Sequence, residues 1–524
     1  MHDPKLRLWC HGPRWGGAVK DQESHYGTIL LWGFAAILLL LATGGWTAPV
    51  VVVAAPATPA EGATFNITWS TSCETPPPEA VTAFDYAAGL WGTWISSTVP
   101  IEVSACWSNA ISGGDGLAYG GPVAYQYDFP AALWGRTHYP IALANALSGY
   151  DLMPGFEDIG VKFDATVDWS FTLTPTLTTN TSAENKDFVA VALHELAHGL
   201  GFIGNMYEQY SVGFCYYRDY CPTPYDQLVV DSTAVPLLSY LTPDPRELGK
   251  RLESDANFSG PNTIAANTGA AAKLYTPYYW AYGISLSHLD ESTFQTGDNR
   301  LMIPRYSGIT RHPGPVTLAI FQDMGWLRVD GVPNVVTAGP LILGAGQVAT
   351  LTGGLVWSRY AGQPITYTWA ATEQLTVTHP GLTASDSVTF TWGTPGDKRI
   401  TLAVTDGVTS AHATRAALVY DVTASGATQG DTNHAYTFNA AILPEITIFP
   451  ITYTWEATDK TPIVHANLYQ TYDSAAFTWT TPGTKTITIT AAMAGATTHD
   501  VHEIVIEGLV LDKHIFLPLV LRQS

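Results

Sequence analysis

VALHELAHGLGF, residues 191–202, carries two histidines four positions apart and a glutamate directly after the first. The run that contains it, DFVAVALHELAHGL from Asp187 to Leu200, has no proline and is rich in Ala and Leu, so it is a good helix former. Asn185 or Asp187 can cap its start, and Gly201 can end it, because glycine enters the left-handed conformation at little cost. Residues four apart share one helix face, so His194 and His198 can reach a single cation, and neutral imidazoles suit zinc. Glu195 lies at the edge of that face, placed to hold a water rather than the metal. The plainer alternative is a buried helix with two incidental histidines. The helix-forming context in an exported chain speaks against it.

A catalytic zinc site needs a third protein ligand. In the compact spacing HExxHxxGxxH that ligand falls at position 204, which here is Gly204. A gluzincin-like glutamate further on is one answer, with Glu247 and Glu253 as candidates. A second lies in SLSHLDESTFQTGDNRLMIPRYSGITRHPGPVTLAIFQDMGWL, residues 285–327, where His288 stands fourteen residues before Met302. His312 is its nearest rival, and His138 lies upstream of the helix.

The combination of HELAHGLGF, a distant SH, LMIP and TLAIFQDMGW resembles the leishmanolysin-type metzincins and their bacterial relatives, over roughly 185–327. In that family an insertion separates the helix from the third histidine, and a methionine turn then passes beneath the metal. The resemblance implies His194, His198 and His288 as zinc ligands, Glu195 as general base, Gly201 as the turn residue and Met302 as the methionine of the turn. The insertion would run from Ile203 to Ser287. Tyr306 is a candidate for assisting the transition state. Asp290 and Asp323 could orient ligands, or simply serve as loop or capping residues. A propeptide cysteine often blocks zinc in such peptidases; Cys73 is the cysteine in the right region, but it also reads as a disulfide partner. DIGVKFDATVDWSF (158–171), just upstream of the helix, alternates like a strand and is expected to be the sheet edge to which a substrate peptide adds.

The rest of the chain sets the context. Lys5, Arg7, Arg14 and Lys20 precede an apolar run from Thr28 to Thr43, as in a signal peptide or an uncleaved signal anchor (1–48). A Pro- and Ala-rich linker (49–80) follows, then the expected catalytic domain (81–330). After Cys10, four cysteines remain: Cys73, Cys106, Cys215 and Cys221. In an exported protein they permit two disulfides, and three connectivities are open. Beyond Asp330, ITYTWAAT (365–372) recurs as ITYTWEAT (451–458), and FTWGTPGDKRITL (390–402) as FTWTTPGTKTITI (477–489). The offset of about 86 residues suits one small β-sandwich. The repeats resemble polycystic-kidney-disease-type (PKD) immunoglobulin-like domains, with copies at 331–422 and 423–510 and a tail at 511–524. Such modules imply spacers or weak cell-surface or matrix binders. Their histidines, His379, His412, His434, His465, His499 and His502, show no metal spacing and read as surface residues.

A hydrophobic share of 46% against 13% charged residues describes a folded chain rather than a disordered one. A net charge of −21 disfavours nucleic acid and anionic lipid as partners. The acidic surface permits structural calcium without requiring it. The fold class expected is therefore multidomain: an α+β metzincin-type catalytic domain followed by two all-β immunoglobulin-like sandwiches. The function expected is an exported, secreted or cell-surface zinc endopeptidase acting on protein or peptide. One alternative is a gluzincin-like or other zinc hydrolase with a Glu ligand. Another is a surface adhesin with a silent protease-like domain.

Overall fold

The computed structural model describes residues 62–109, 116–174, 185–215, 222–241, 244–356, 364–382, 385–445 and 450–508. The expected signal segment and C-terminal tail lie outside them. The chain is mostly β, with a few helices concentrated in its N-terminal part. Among the described residues no helix is long and apolar enough to cross a membrane.

The N-terminal part is built on a four-stranded sheet of β1 (Phe65–Trp69), β2 (Ile101–Ser108), β3 (Ala118–Pro122) and β4 (Ile159–Asp164), in the order β1-β2-β4-β3. β1, β2 and β4 run parallel, and β3 lies antiparallel to β4 at the edge. In β4 the residues Ile159, Val161 and Phe163 are buried and their neighbours are not, the period-2 pattern of a strand with one face on the core. Helix α1 (Pro78–Gly92) has proline in its first turn, where no intrahelical N–H bond is lost, and buries Ala80, Ala83, Phe84, Ala87 and Trp91 at helical spacing. α2 spans Ile141–Ser148, and α3 spans Phe188–Gly199. α3 is buried along its whole length, packed on the sheet and against α1. Trp91 of α1 donates from Nε1 to the Leu193 carbonyl at 3.1 Å. Phe163 and Phe188 join sheet to helix with ring centroids 4.5 Å apart. Each such side chain contributes about 1.5–3 kcal/mol by leaving water.

Two expectations are corrected here. The segment 49–80 is not linker throughout, because FNITW forms β1 and pairs in register with β2 from Phe65↔Ile101 to Trp69↔Ala105. Five alternating residues between Pro-rich flanks give a weak strand signal. Second, the strand in DIGVKFDATVDWSF is interior, held between β2 and β4's other neighbour, β3. Among the described strands the edge on that side belongs to β3, sequence AYGGP, whose glycines hide it from propensity.

Cys73 and Cys106 form a disulfide that ties the loop after β1 to β2. Cys73 therefore has no thiol to offer as a metal-blocking group. Cys215 is disulfide-bonded as well, and Cys221 lies outside the described residues.

After α3, a hairpin (Met206–Gln209 with Val212–Cys215), helix α4 (Pro245–Leu252), helix α5 (Pro261–Ala266) and short α6 (Glu291–Phe294) lead to α7 (Pro315–Met324). α7 returns to the same core, where Phe321 meets Trp91 of α1 and Phe202 just past α3.

The C-terminal part is all β. Its first set pairs 334–338, 348–356 and 385–391 in one sheet, and 377–382, 365–371, 396–405 and 410–419 in another. The second set repeats this plan with 421–425, 435–443 and 472–478 opposite 463–468, 451–457, 483–493 and 496–507. The strand Ser410–Ser425 serves both sets, so the boundary expected at 422/423 falls inside one continuous strand. Trp369 and Trp455 sit at equivalent core positions, each donating to an aspartate, Asp386 or Asp473, at 2.8 Å. His379 and His465 bond those same aspartates, so they are paired side chains rather than incidental surface residues. The first set also touches the N-terminal part: Asn262 exchanges two hydrogen bonds with the His412 backbone, and Ala416 N donates to the Leu133 carbonyl.

Cys73→Ser/Cys106→Ser is expected to lose about 2–4 kcal/mol, since the bond closes a loop of intermediate length. Urea unfolding followed by tryptophan fluorescence reads this as a lower transition midpoint for the N-terminal part.

Candidate metal centre

α3 starts where the sequence allowed it to. Asp187 is the N-cap, and its carboxylate accepts from the Ala190 amide at 2.7 Å. It ends in a paired-bond turn: Gly201 N donates to the His198 carbonyl and Phe202 N to that of Ala197. This turn needs a left-handed residue, and Gly201 has φ +118°. Trp326 satisfies the Leu200 carbonyl from Nε1 at 3.0 Å. The turn also carries function, because the Phe202 carbonyl it presents accepts from His198 Nδ1 at 2.8 Å.

The other two imidazoles are held in the same manner. His194 Nδ1 donates to the Leu301 carbonyl at 2.7 Å, and His288 Nδ1 to the Ile284 carbonyl at 2.8 Å. A carbonyl only accepts, so each Nδ1 carries the proton and each neutral ring turns a bare Nε2 inward. His194 Nε2 is 3.0 Å from His198 Nε2 and 3.2 Å from His288 Nε2. Burial disfavours the imidazolium at all three. It lowers His194 to about 4 and His288 to about 3, and holds His198 well below the ordinary value. Three lone pairs thus converge in a dry place with no proton among them. That is a donor set for a cation. Tetrahedral zinc with N–Zn bonds of about 2.05 Å would separate its nitrogens by roughly 3.3 Å, a few tenths more than seen here. The residues fit a metal ion, and among the described residues this is the group of His, Cys, Asp and Glu that could hold one.

His288 arrives there because its segment is clamped from both sides. Its carbonyl accepts from Tyr275 N, and Leu289 N donates to the Met302 carbonyl at 2.8 Å. Leu286, two residues earlier, is buried with φ +69°, a conformation rarely adopted by a side chain of that size; Tyr225 Oη donates to its carbonyl. Met302 is fully buried beside Leu301, whose carbonyl grips His194. It packs and does not coordinate.

Glu195 is fully buried, and neither carboxylate oxygen has a hydrogen-bond partner in good geometry. Burial pushes its pKa well above the ordinary carboxylate value, with the Gly120 amide opposing. Such an orphaned pair of oxygens marks a place for a polar guest. Edge strand β3 comes against the helix here. A Cβ on Gly120 would stand 2.5 Å from the Glu195 carbonyl oxygen.

The structure gathers His194, His198 and His288, with Glu195 buried on the same helix and Gly201 and Met302 in support. Other candidates lie elsewhere. Glu247 is on α4, paired with Lys250, and Glu253 follows the same helix near Glu208. His312 packs its ring on Trp94, and His138 on Tyr127. Tyr306 is corrected as well: its hydroxyl accepts from Asp187 N at 2.8 Å, at the far end of α3, about 10 Å along the helix from His194. Asp290 caps α6, and Asp323 binds the first amides of α5; both take the capping role. Sequence reasoning missed Arg311, which meets Asp187 through two parallel bonds of 2.7 and 2.8 Å. It also missed the three carbonyls that orient the rings, which no side-chain pattern announces.

No family model matches the sequence. A human protein described as ciliated left-right organizer metallopeptidase is similar to this chain, 30% identical over 154 residues. The match covers 29% of this chain and 17% of that protein, so the chain spans under a fifth of the curated relative's length. The similarity, with the three-histidine cluster, supports a metallopeptidase-like relationship and a metal ion at this centre.

Gly120→Ala is expected to destabilise by about 1–3 kcal/mol, because the methyl group meets backbone that cannot swing aside. Gly121→Ala, where a Cβ meets nothing within 4 Å, is the matched control. Thermal unfolding compares the two.

Proposed function

We propose that the protein is a zinc endopeptidase of the leishmanolysin-like metzincin type, exported and acting outside the cell. The observation that carries this reading is the convergence of three buried, lone-pair-bearing imidazoles beside a buried glutamate without partners. His194, His198 and His288 hold the ion. Three ligands leave a fourth position open, which distinguishes a catalytic from a structural zinc. When bound, zinc supplies Lewis acidity, acidifying water and polarising a carbonyl.

The protein's own groups do the rest. Glu195 Oε accepts a proton from the attacking water and passes it to the nitrogen of the leaving amine. Its buried setting suits both steps, because a carboxylate with a raised pKa takes a proton readily and can return it. The substrate adds as a strand along the outer edge of β3, whose opposite edge is paired with β4. In this reading the sheet edge, and not the interior strand, lays the peptide bond across the histidines.

The Cys73–Cys106 disulfide supports an oxidising compartment. The two C-terminal sets of strands are read as immunoglobulin-like modules that space or anchor the peptidase, leaving the chemistry to the N-terminal part.

Two measurements test this. Glu195→Ala should keep about one zinc per chain while its rate on casein or gelatin falls by roughly 10²–10⁴-fold; equal rates in both proteins would remove the peptidase reading and favour an adhesin. His288→Ala should lose the metal, while Glu247→Ala and Glu253→Ala keep it. The reverse pattern would favour a glutamate-ligated hydrolase.

A further inference from the structure

We propose that Arg311 is a positioning residue of the metal centre, setting where α3 stands relative to the loop that holds His194. This rests on reading the three histidines as a metal site.

All five N–H donors of the Arg311 guanidinium are used. Nη1 and Nη2 meet Asp187 Oδ1 and Oδ2 at 2.7 and 2.8 Å. Nε donates to the Leu173 carbonyl, Nη1 also to that of Thr310, and Nη2 to that of Thr172. One planar group therefore joins the N-cap of α3, the segment at Thr172 and Leu173 that precedes it, and the loop that follows Met302. Asp187 is fully buried, and its amide is taken by Tyr306 of that same loop.

The loop is rigid enough to transmit this grip. Arg300 donates to the Ile309 carbonyl, and Ser307 Oγ to the Arg300 carbonyl, so its two limbs are stapled together. The residue after Arg300 is Leu301, whose carbonyl orients His194. The segment from Leu301 to Arg311 thus grips α3 at two points: its start through Asp187 and its histidine-bearing face through His194. A helix held at both points cannot rotate or slide against the third ligand. Only the guanidinium fork can do this, because an ammonium offers three donors from a single point.

The experiment compares the full chain with Arg311→Lys, and with Tyr306→Phe, which removes only the hydroxyl that receives the Asp187 amide. Zinc affinity is read by chelator competition. The cobalt-substituted protein is read by its visible absorption, which reports ligand geometry whether or not the enzyme turns over. Loss of such an orienting partner typically weakens metal binding roughly 10–100-fold. Arg311→Lys is expected to show a loss in that range and a changed cobalt spectrum in protein that is folded by circular dichroism. Tyr306→Phe is expected to move both readouts in the same direction by a smaller factor, and it carries the test if Arg311→Lys does not fold. A lower thermal midpoint with wild-type zinc affinity and cobalt spectrum in the folded variants would overturn the proposal and leave the metal site standing. A wild-type protein that binds neither ion would overturn the metal-site reading and the proposal with it.

Discussion

Three neutral imidazoles turned toward one another in a dry interior are an unstable arrangement by themselves. Each Nε2 is an acceptor, none can donate to the others, and all three rings are buried. The backbone keeps them there: Leu301, Phe202 and Ile284 each present a carbonyl that fixes one Nδ1 proton. Those carbonyls come from three separate places, namely the loop before Ile303, the turn that ends α3, and the bend before His288. The architecture of the N-terminal part can be understood as the means of holding these three turns in place. A site assembled in advance has its ligands oriented before any cation arrives, so the ordering cost is met during folding rather than binding.

The rigid members around the site have distinct tasks. α3 supplies two ligands and the glutamate at fixed spacing. The sheet and α1 pack against it, and Phe321 of α7 meets Trp91 of α1. Strand β3 approaches so closely at Gly120 that only hydrogen fits between strand and helix. This is a different use of glycine from that at Gly201, where the backbone dihedral rather than space decides. The Asp187–Arg311 pair secures the start of the helix. Breaking such a pair from one side ordinarily costs about 3–5 kcal/mol, because the surviving charge is left in a poor solvent. The C-terminal strands make no contribution to the histidine cluster, yet they are not detached from the N-terminal part. Asn262, which Asp323 holds by both backbone and side chain, reaches the edge of their first sheet at His412.

Much of this could be read along the chain. His194, Glu195, His198, the capping of α3 by Asp187 and the glycine stop at Gly201 follow from helix periodicity and local backbone preference, which need only neighbours in sequence. The internal repeat was equally plain, and its two copies fold alike because the same alternation of Thr, Trp and Ile specifies the same inward faces. The strand β1 was hidden by its brevity, and the edge character of β3 by its glycines. Whether a strand is interior or at an edge depends on which strand pairs beside it, and no property of DIGVKFDATVDWSF itself says that β3 would pair outside it.

By itself, then, the sequence determined that His194, Glu195 and His198 ride together on one helix, since residues 194, 195 and 198 are bound into one rigid repeat. It also determined that a third ligand had to come from far away, by leaving glycine at position 204. Only the tertiary structure brought His288 to His194 and His198, while Glu247, Glu253 and His312 lie elsewhere. Only it placed Tyr306 and Arg311 on Asp187 at the start of α3, and closed Cys73 in a disulfide with Cys106. The physical reason is the same in each case. Contacts between residues dozens of positions apart are set by how whole elements pack, and packing is a property of the assembled interior rather than of any stretch within it.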